Sequence, residues 1–260
     1  MKSFVSCLSV CLILSAVIYA EDAVKEESIS VEVSSGDQVE IYTVNGSIIT
    51  EEWSSDQVEV SYIITCETEE ELDFISVECN TSSGITCEVD YDNSWDDSHS
   101  GSVDFEVKIP SAIPVEIELA SVNGDVVLDG GEGEAVLEVV NGDIVAVNFA
   151  GELSVHCVNG DIEVSESPGI RIAELVNGHI DCIIDALDDD LELAAVNGTI
   201  LLNLGTDAEV AIETISGEID IDDFFDAYIT ENIVGCSSEF GEGEFSIDIS
   251  TVSGDIKIAN

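Results

Sequence analysis

The stretch Val122-Asn123-Gly124-Asp125-Val126 returns as Val140-Asn141-Gly142-Asp143-Ile144 and again as Val158-Asn159-Gly160-Asp161-Ile162. Val176-Asn177-Gly178 and Val196-Asn197-Gly198 follow, then Ile215-Ser216-Gly217, Ile233-Val234-Gly235 and Val252-Ser253-Gly254. Successive glycines lie 18, 18, 18, 20, 19, 18 and 19 residues apart; upstream, Gly84 lies 40 residues before Gly124 and Gly46 lies 38 before Gly84, each two periods. A fixed period of this length marks a repeat architecture, in which each unit buries its apolar face on its neighbours. The chain beyond its leader reads as one array of roughly twelve such units.

Within a unit, apolar and polar residues alternate on both sides of the Gly, the period of half-buried strands. Leu153, Val155 and Cys157 share one face before the turn, and Ile162 and Val164 share it after. Ala135, Leu137, Val139, Ile144 and Ala146 repeat the pattern, as do Leu191, Leu193, Ala195, Ile200 and Leu202, and finally Ile247, Ile249, Ile256 and Ile258. Asn-Gly also favours two-residue antiparallel hairpins, so a meander is the competing topology. A meander of more than twenty strands has to curl or split, and nothing in it demands equal spacing. The expected fold is therefore all-β: a single-stranded β-solenoid (β-helix) of about twelve rungs with two short strands per rung. At about 4.8 Å per rung it forms a rod on the order of 55 Å long. Asn123, Asn141, Asn159, Asn177 and Asn197 should then stack as a ladder of amides, extended by Ser216 and Ser253, while Gly supplies the positive φ of the corner.

Met1-Lys2, the apolar stretch Phe4 to Tyr19 and the small Ala20 before Glu21-Asp22 read as a Sec-type signal peptide cleaved after Ala20; an uncleaved anchor or lipidation at Cys11 are the competing readings. The domain plan is signal peptide 1–20, divergent N-terminal rungs and cap 21–110, and regular solenoid repeats 111–260. No second stretch is long and apolar enough to span a bilayer, so a secreted, cell-surface or periplasmic location is expected. Six cysteines follow the leader; Cys79 and Cys87 flank the turn at Asn80–Gly84 and are placed for a short-loop disulfide, while the others pack equally well as buried thiols.

Asp and Glu number 57 against 5 Lys and Arg, a formal charge of −52, yet hydrophobic residues make up 45% of the chain. A disordered acidic tail lacks that apolar content, so the charge coats a folded body. Nucleic acid is excluded as a partner because phosphate binding needs Lys and Arg, and an anionic membrane is disfavoured on the same ground. Cations, basic proteins and adaptation to high salt stay open.

The segment Asp104-Phe105-Glu106-Val107-Lys108-Ile109-Pro110, then Ile113-Pro114-Val115-Glu116-Ile117-Glu118 and Val122-Asn123-Gly124-Asp125-Val126, resembles the entry to the putative-adhesin family of β-strand repeat proteins found in prokaryotic envelopes. The resemblance covers roughly Val103 to Ile258, and more weakly Ile41 to Val89. It implies an exported, repetitive, non-catalytic protein. The charge and the six cysteines depart from the usual pattern of that family.

Asp125, Asp143 and Asp161 follow the turn Gly in three successive units; His179, Thr199, Glu218 and Asp255 hold that place in others. Like charges stacked about 4.8 Å apart repel by roughly 1 kcal/mol per pair even in water. Ordinary counter-ions offset this on one reading; on the other, the three aspartates are divalent-cation ligands for Ca²⁺, with no cofactor otherwise required. Asp90, Asp92 and Ser94 imitate the start of a calcium loop, but Trp95 stands where Gly is needed. The insertion Asp185 to Asp190 reads as a solvated corner. His156-Cys157 and His179 with Cys182 point to opposite strand faces and cannot share a zinc ion. His99 is expected alone in a polar loop. Trp53, Trp95, Tyr62 and Tyr91 are expected to cap the rod rather than form a ligand face.

The function expected is that of a non-catalytic, adhesin-like structural protein of the cell envelope or surface, meeting divalent cations or a basic partner, its protein or glycan ligand unidentified. End-to-end self-association through exposed edges is a further expectation. The alternative is a polysaccharide-active β-helix enzyme. Such enzymes hold anionic substrates with cations, and Arg171 is the single Arg of the chain. The sequons at Asn45, Asn80 and Asn197 carry no conclusion.

Overall fold

The computed structural model describes residues 22–92, 95, 99–222, 230–231, 236–241 and 243–260. The leader, Ser94 of the calcium-loop reading and the unit Ile233-Val234-Gly235 lie outside the described residues.

Alternation of β-branched and polar residues, interrupted every 18 to 20 positions by Gly, produces strands and almost nothing else; one 3₁₀ turn, Glu71–Phe74, is the exception among the described residues. The strands pair in parallel and in register with the equivalent strand one repeat away. Val115–Asn123, Glu132–Asn141 and Ala150–Asn159 align so that Asn123, Asn141 and Asn159 face one another, and Val126–Asp129, Ile144–Val147 and Ile162–Ser165 align beside them. Ile170–Ile184 and Leu191–Leu204 run through the bend and pair from Ile172 with Glu192 to Ile184 with Leu204. The inward residues of every layer, including Leu137, Ile144, Leu153, Ile162, Leu193 and Ile256, are fully or almost fully buried in one continuous core. The apolar set expected from alternation is the core.

At the bend, the amide ladder is present and begins one layer earlier than expected. Asn123 donates to Asn45 Oδ1 at 2.9 Å, Asn141 to Asn123 at 2.9 Å, Asn159 to Asn141 at 3.0 Å, Asn177 to Asn159 at 2.8 Å and Asn197 to Asn177 at 3.1 Å. The glycines let the layers approach: a Cβ on Gly160 would stand 1.9 Å from the Gly142 carbonyl oxygen, and the Gly160 φ of +149° is one that L side chains rarely adopt.

The layers do not stack in chain order at either end. Gln38–Asn45 and Ile48–Trp53 lie between the Val115–Asp129 layer and the strands Gly84–Tyr91 and Gly101–Pro110. At the opposite end the final strands Ser246–Ser253 and Ile256–Ala259 sit between Leu191–Leu204 and the layer of Glu209–Ser216 and Ile219–Ile221. Gly254 therefore stacks on Gly198, and Gly217 on Gly254. The double spacing assigned to Gly84 is also corrected: Gly84 aligns with Gln38 at the start of a strand, not with the Asn-Gly bend, and it is Gly46 that stacks beneath Gly124. Antiparallel strands replace further parallel units beyond the outer layers. Gln57–Cys66 pairs with Gly101–Pro110 and Ala23–Glu32 with Gln57–Cys66; Ile75–Asn80 pairs with Gly84–Tyr91, and Cys236–Phe240 with Glu209–Ser216. A uniform array thus describes the middle of the chain and not its ends.

Tyr62, Tyr91 and Trp95 make aromatic contacts in the N-terminal half of the chain. Tyr62 is buried against Phe105 with its hydroxyl on Glu27 at 2.6 Å, and Tyr91 packs on Trp95. His99 is not alone: its ring stacks on Trp95 at 5.2 Å and meets the edge of Phe74 at 5.5 Å. Cys79 and Cys87 face each other across antiparallel strands and form a disulfide. Cys66, Cys157 and Cys182 are buried thiols. Burial raises Cys157 to about 11, helped by Asp143 and Asp161, and Cys182 to about 12, helped by Asp181.

Two predictions follow from this packing. Asn159→Ala removes one ladder bond as donor and one as acceptor, and should lower unfolding stability by about 1–2 kcal/mol in urea titrations. Gly160→Ala should cost at least ~3 kcal/mol, since strain and a backbone clash coincide; equal losses in the two variants would show that the close approach is unimportant. The thiols set an alkaline limit. Their folded pKa values lie above the ordinary 9.0, so their contribution is fully present below pH 9 and is lost as pH rises towards 11 and 12. The urea midpoint should fall over that window, and a Cys157→Ala/Cys182→Ala variant should show a shallower fall.

Candidate binding groove

On a strand, two apolar neighbours in sequence must face opposite sides. Val139-Val140, Cys157-Val158, Leu175-Val176 and Ala195-Val196 are such pairs, each ending at the bend. The first member of each is buried and the second is exposed. Register then aligns the exposed members into a continuous row of Val44, Val122, Val140, Val158, Val176, Val196 and Val252, whose exposures run from 38% at Val176 to 47% at Val252. This row lines one wall of a groove of about 910 Å³ running along the stack. Isolated exposed valines are ordinary on protein surfaces, but an aligned apolar stripe is not, least of all on a chain this acidic.

The second wall is the row two residues earlier: Tyr42, Ala120, Glu138, His156, Glu174, Ala194 and Ser250, joined at its end by Glu88. His156 Nδ1 lies 3.0 Å from Glu174 Oε2 in the centre of this wall. Burial, a hydrogen bond to Glu118 and the charges of Glu118, Glu40 and Glu88 push the Tyr42 phenol far above its ordinary value, so it stays a neutral donor. Beneath the valines, inward hydroxyls and thiols fasten neighbouring layers: Ser121 Oγ donates to the Gly46 carbonyl at 2.9 Å and Cys157 Sγ to that of Gly142 at 3.4 Å. Most inward polar groups of the floor are thus occupied, while the buried Thr251 hydroxyl beneath Val252 has no partner.

Asp125, Asp143 and Asp161 line the outside of the bend in register, with a local structural task. Asp125 Oδ1 accepts the Asp143 N–H at 2.9 Å, Asp143 Oδ1 that of Asp161 at 2.8 Å, and Asp161 Oδ1 that of His179 at 2.8 Å. Asp104 and Asp255 serve Ser47 and Glu218 in the same way. Among the described residues, no cluster of three or more His, Cys, Asp or Glu is arranged to hold a metal ion. In the insertion, Asp190 accepts the Ser246 N–H at 2.7 Å, which holds its carboxyl below the usual range and clasps the inserted final layer. Arg171 bridges Glu152 at 3.2 Å and Asp189 at 3.7 Å, and Lys25, Lys108 and Lys257 each pair with a carboxylate. His156 and Cys157 occupy opposite faces, as do His179 and Cys182. The groove was absent from the sequence reading, although the doubled apolar residues announce it.

No helix among the described residues is long and apolar enough to cross a membrane. Comparison with curated proteins gave no match. Among solved structures, a putative cell adhesion protein from Clostridium sporogenes is 14% identical, with 91% of this chain and 99% of that one covered and a TM-score of 0.38. A putative adhesin from Parabacteroides distasonis is 11% identical over 90% of this chain and 97% of that one, TM-score 0.45. A putative lipid binding protein from the same species is 17% identical over 90% and 97%, TM-score 0.41. The Toastrack DUF4097 description matches residues 20–259, nearly the whole chain, and the chain belongs to that family.

Proposed function

We propose that the protein is an exported, non-catalytic, adhesin-like rod of the cell envelope or surface that recognises a basic partner along its valine-lined groove. In this reading each unit of 18–20 residues is one rung of two short strands, and the antiparallel ribbons take the place of outer units, so the coil proper is shorter than the twelve units the spacing suggests. The groove carries the reading: its valine row is an extended apolar surface, and its polar wall holds Glu88, Glu138 and Glu174. A cation-rich partner gains both burial and Coulomb attraction there. The alternative, a polysaccharide-active enzyme, would need free cations for an anionic substrate, and Arg171 is committed to Glu152 and Asp189.

The mature chain from Glu21, immobilised, should retain poly-L-lysine at 0.15 M NaCl and release no reducing ends from polygalacturonate or alginate over hours. Steady release of reducing ends would overturn the non-catalytic reading, and failure to retain poly-L-lysine would remove the basic partner.

A role for Ca²⁺ on the row Asp125, Asp143 and Asp161 is supported by their alignment, since each commits Oδ1 to the next layer and the Oδ2 atoms make none of these ladder bonds. Millimolar CaCl₂ should then raise the thermal midpoint more than NaCl at matched ionic strength, and Asp143→Asn should cancel the difference. Equal stabilisation by the two salts would reduce the row to ordinary screening.

A further inference from the structure

We propose that the occupant of the groove is an amphipathic α-helix with a single apolar row flanked by Lys or Arg; this rests on the reading above and specifies the partner's shape. The place of the groove in the stack selects a helix. The groove lies on the face of the stack, where strands pair on both sides from the Gln38–Asn45 layer to the Ser246–Ser253 layer. An extended peptide gains its affinity by adding to a free edge, and here its own N–H and C=O groups would find no partners. A helix satisfies its backbone internally and asks only for an apolar surface.

The spacing agrees. Layers repeat at about 4.8 Å, whereas one face of a strand repeats at roughly 6.6 Å. A helix lying along the row presents a turn every ~5.4 Å, within about 0.6 Å of the layer spacing. Side chains of such a helix would drop between successive valines from Val44 to Val252. These valines span about 29 Å at the expected layer spacing, the length of roughly 19 helical residues.

Charge selects the flanks. Glu138 and Glu174 border the centre of the row, with His156 between them, and the whole chain carries −52. A second copy of this chain, an acidic helix or a fatty-acid carboxylate would meet repulsion from every side. Lys and Arg beside an apolar row would meet carboxylates at the wall while their aliphatic stems extend the buried surface.

The test uses a 20-residue Leu-Lys peptide with Leu on one helical row, a scramble of identical composition that has no such row, and poly-L-lysine, all at 0.15 M NaCl. Fluorescence anisotropy should give the row peptide an affinity at least tenfold above its scramble, and circular dichroism should show it gaining helicity on binding. Val158→Asp should erase that advantage even though it adds a negative charge. Val158→Thr, which keeps the β-branched shape and so guards against misfolding, should reduce it several-fold. Glu163→Gln, on the strand beyond the bend, should leave it unchanged. Equal binding of row peptide and scramble, indifferent to Val158→Asp, would overturn the helix inference while poly-L-lysine retention kept the basic-partner reading. Loss of all three ligands would overturn both. Binding of a neutral alkyl glucoside with neither peptide bound would assign the groove to a small apolar ligand instead and overturn the helix inference.

Discussion

From the layer of Gly46 to that of Gly217, neighbouring layers place a glycine directly over a glycine carbonyl, and the rest of the molecule inherits its register from that approach. A Cβ at Gly142, Gly160, Gly178 or Gly254 would lie 2.4 Å or less from the neighbouring carbonyl oxygen. Once the bends are superposed, the Asn preceding each Gly cannot avoid its counterpart, and the amide, which is both donor and acceptor, turns that proximity into a ladder. A one-residue slip would break the ladder and turn every core side chain outward. Register is therefore fixed twice, by close approach at the corner and by burial along the strands.

The same superposition makes the acidity tolerable at the bend. Stacked Asp125, Asp143 and Asp161 repel one another, but each accepts a backbone N–H from the layer above, and such charge-assisted bonds are stronger than neutral ones. Hydroxyls and thiols on the inward side do comparable work on the carbonyls. Most polar groups of the bend are thus consumed by neighbouring layers, the buried Thr251 hydroxyl being an exception. What is left facing solvent beside them is the one row with no polar atom to commit, the valines.

Alternation made the core legible: Leu153, Val155, Cys157, Ile162 and Val164 all face inward as expected, and the Asn ladder follows from spacing alone. The order of the layers was not legible, because the units are alike and the pairing of Ser246–Ser253 with Leu191–Leu204 satisfies the same local pattern as pairing with a sequence neighbour would. The choice is made by contacts outside the repeat, such as Asp190 on the Ser246 N–H. Gly84 misled because its spacing equals two periods while its place is a strand start. The valine row was overlooked because Val-Asn-Gly reads as turn chemistry, although Val139-Val140 and Leu175-Val176 already break the alternation and force one residue of each pair outward.

The ends obey a different constraint from the middle. A stack of parallel strands exposes unpaired N–H and C=O groups on its last layer and invites further pairing. Here the first and last repeats are each tucked one layer inward, where both their edges are paired, and the outermost layers carry antiparallel ribbons instead. The outer strand Ala23–Glu32 carries Lys25, Glu26, Glu27 and Glu32, and charges of this density on an edge oppose the docking of another strand. Tucking Ser246–Ser253 and Ile256–Ala259 inward ties the C-terminal strands into the core, so fraying from that end must first break a layer that is held on both sides. The valine row of the lateral groove, unlike the outer strands, carries no charge of its own, so the side of the stack is the surface left open to an apolar contact.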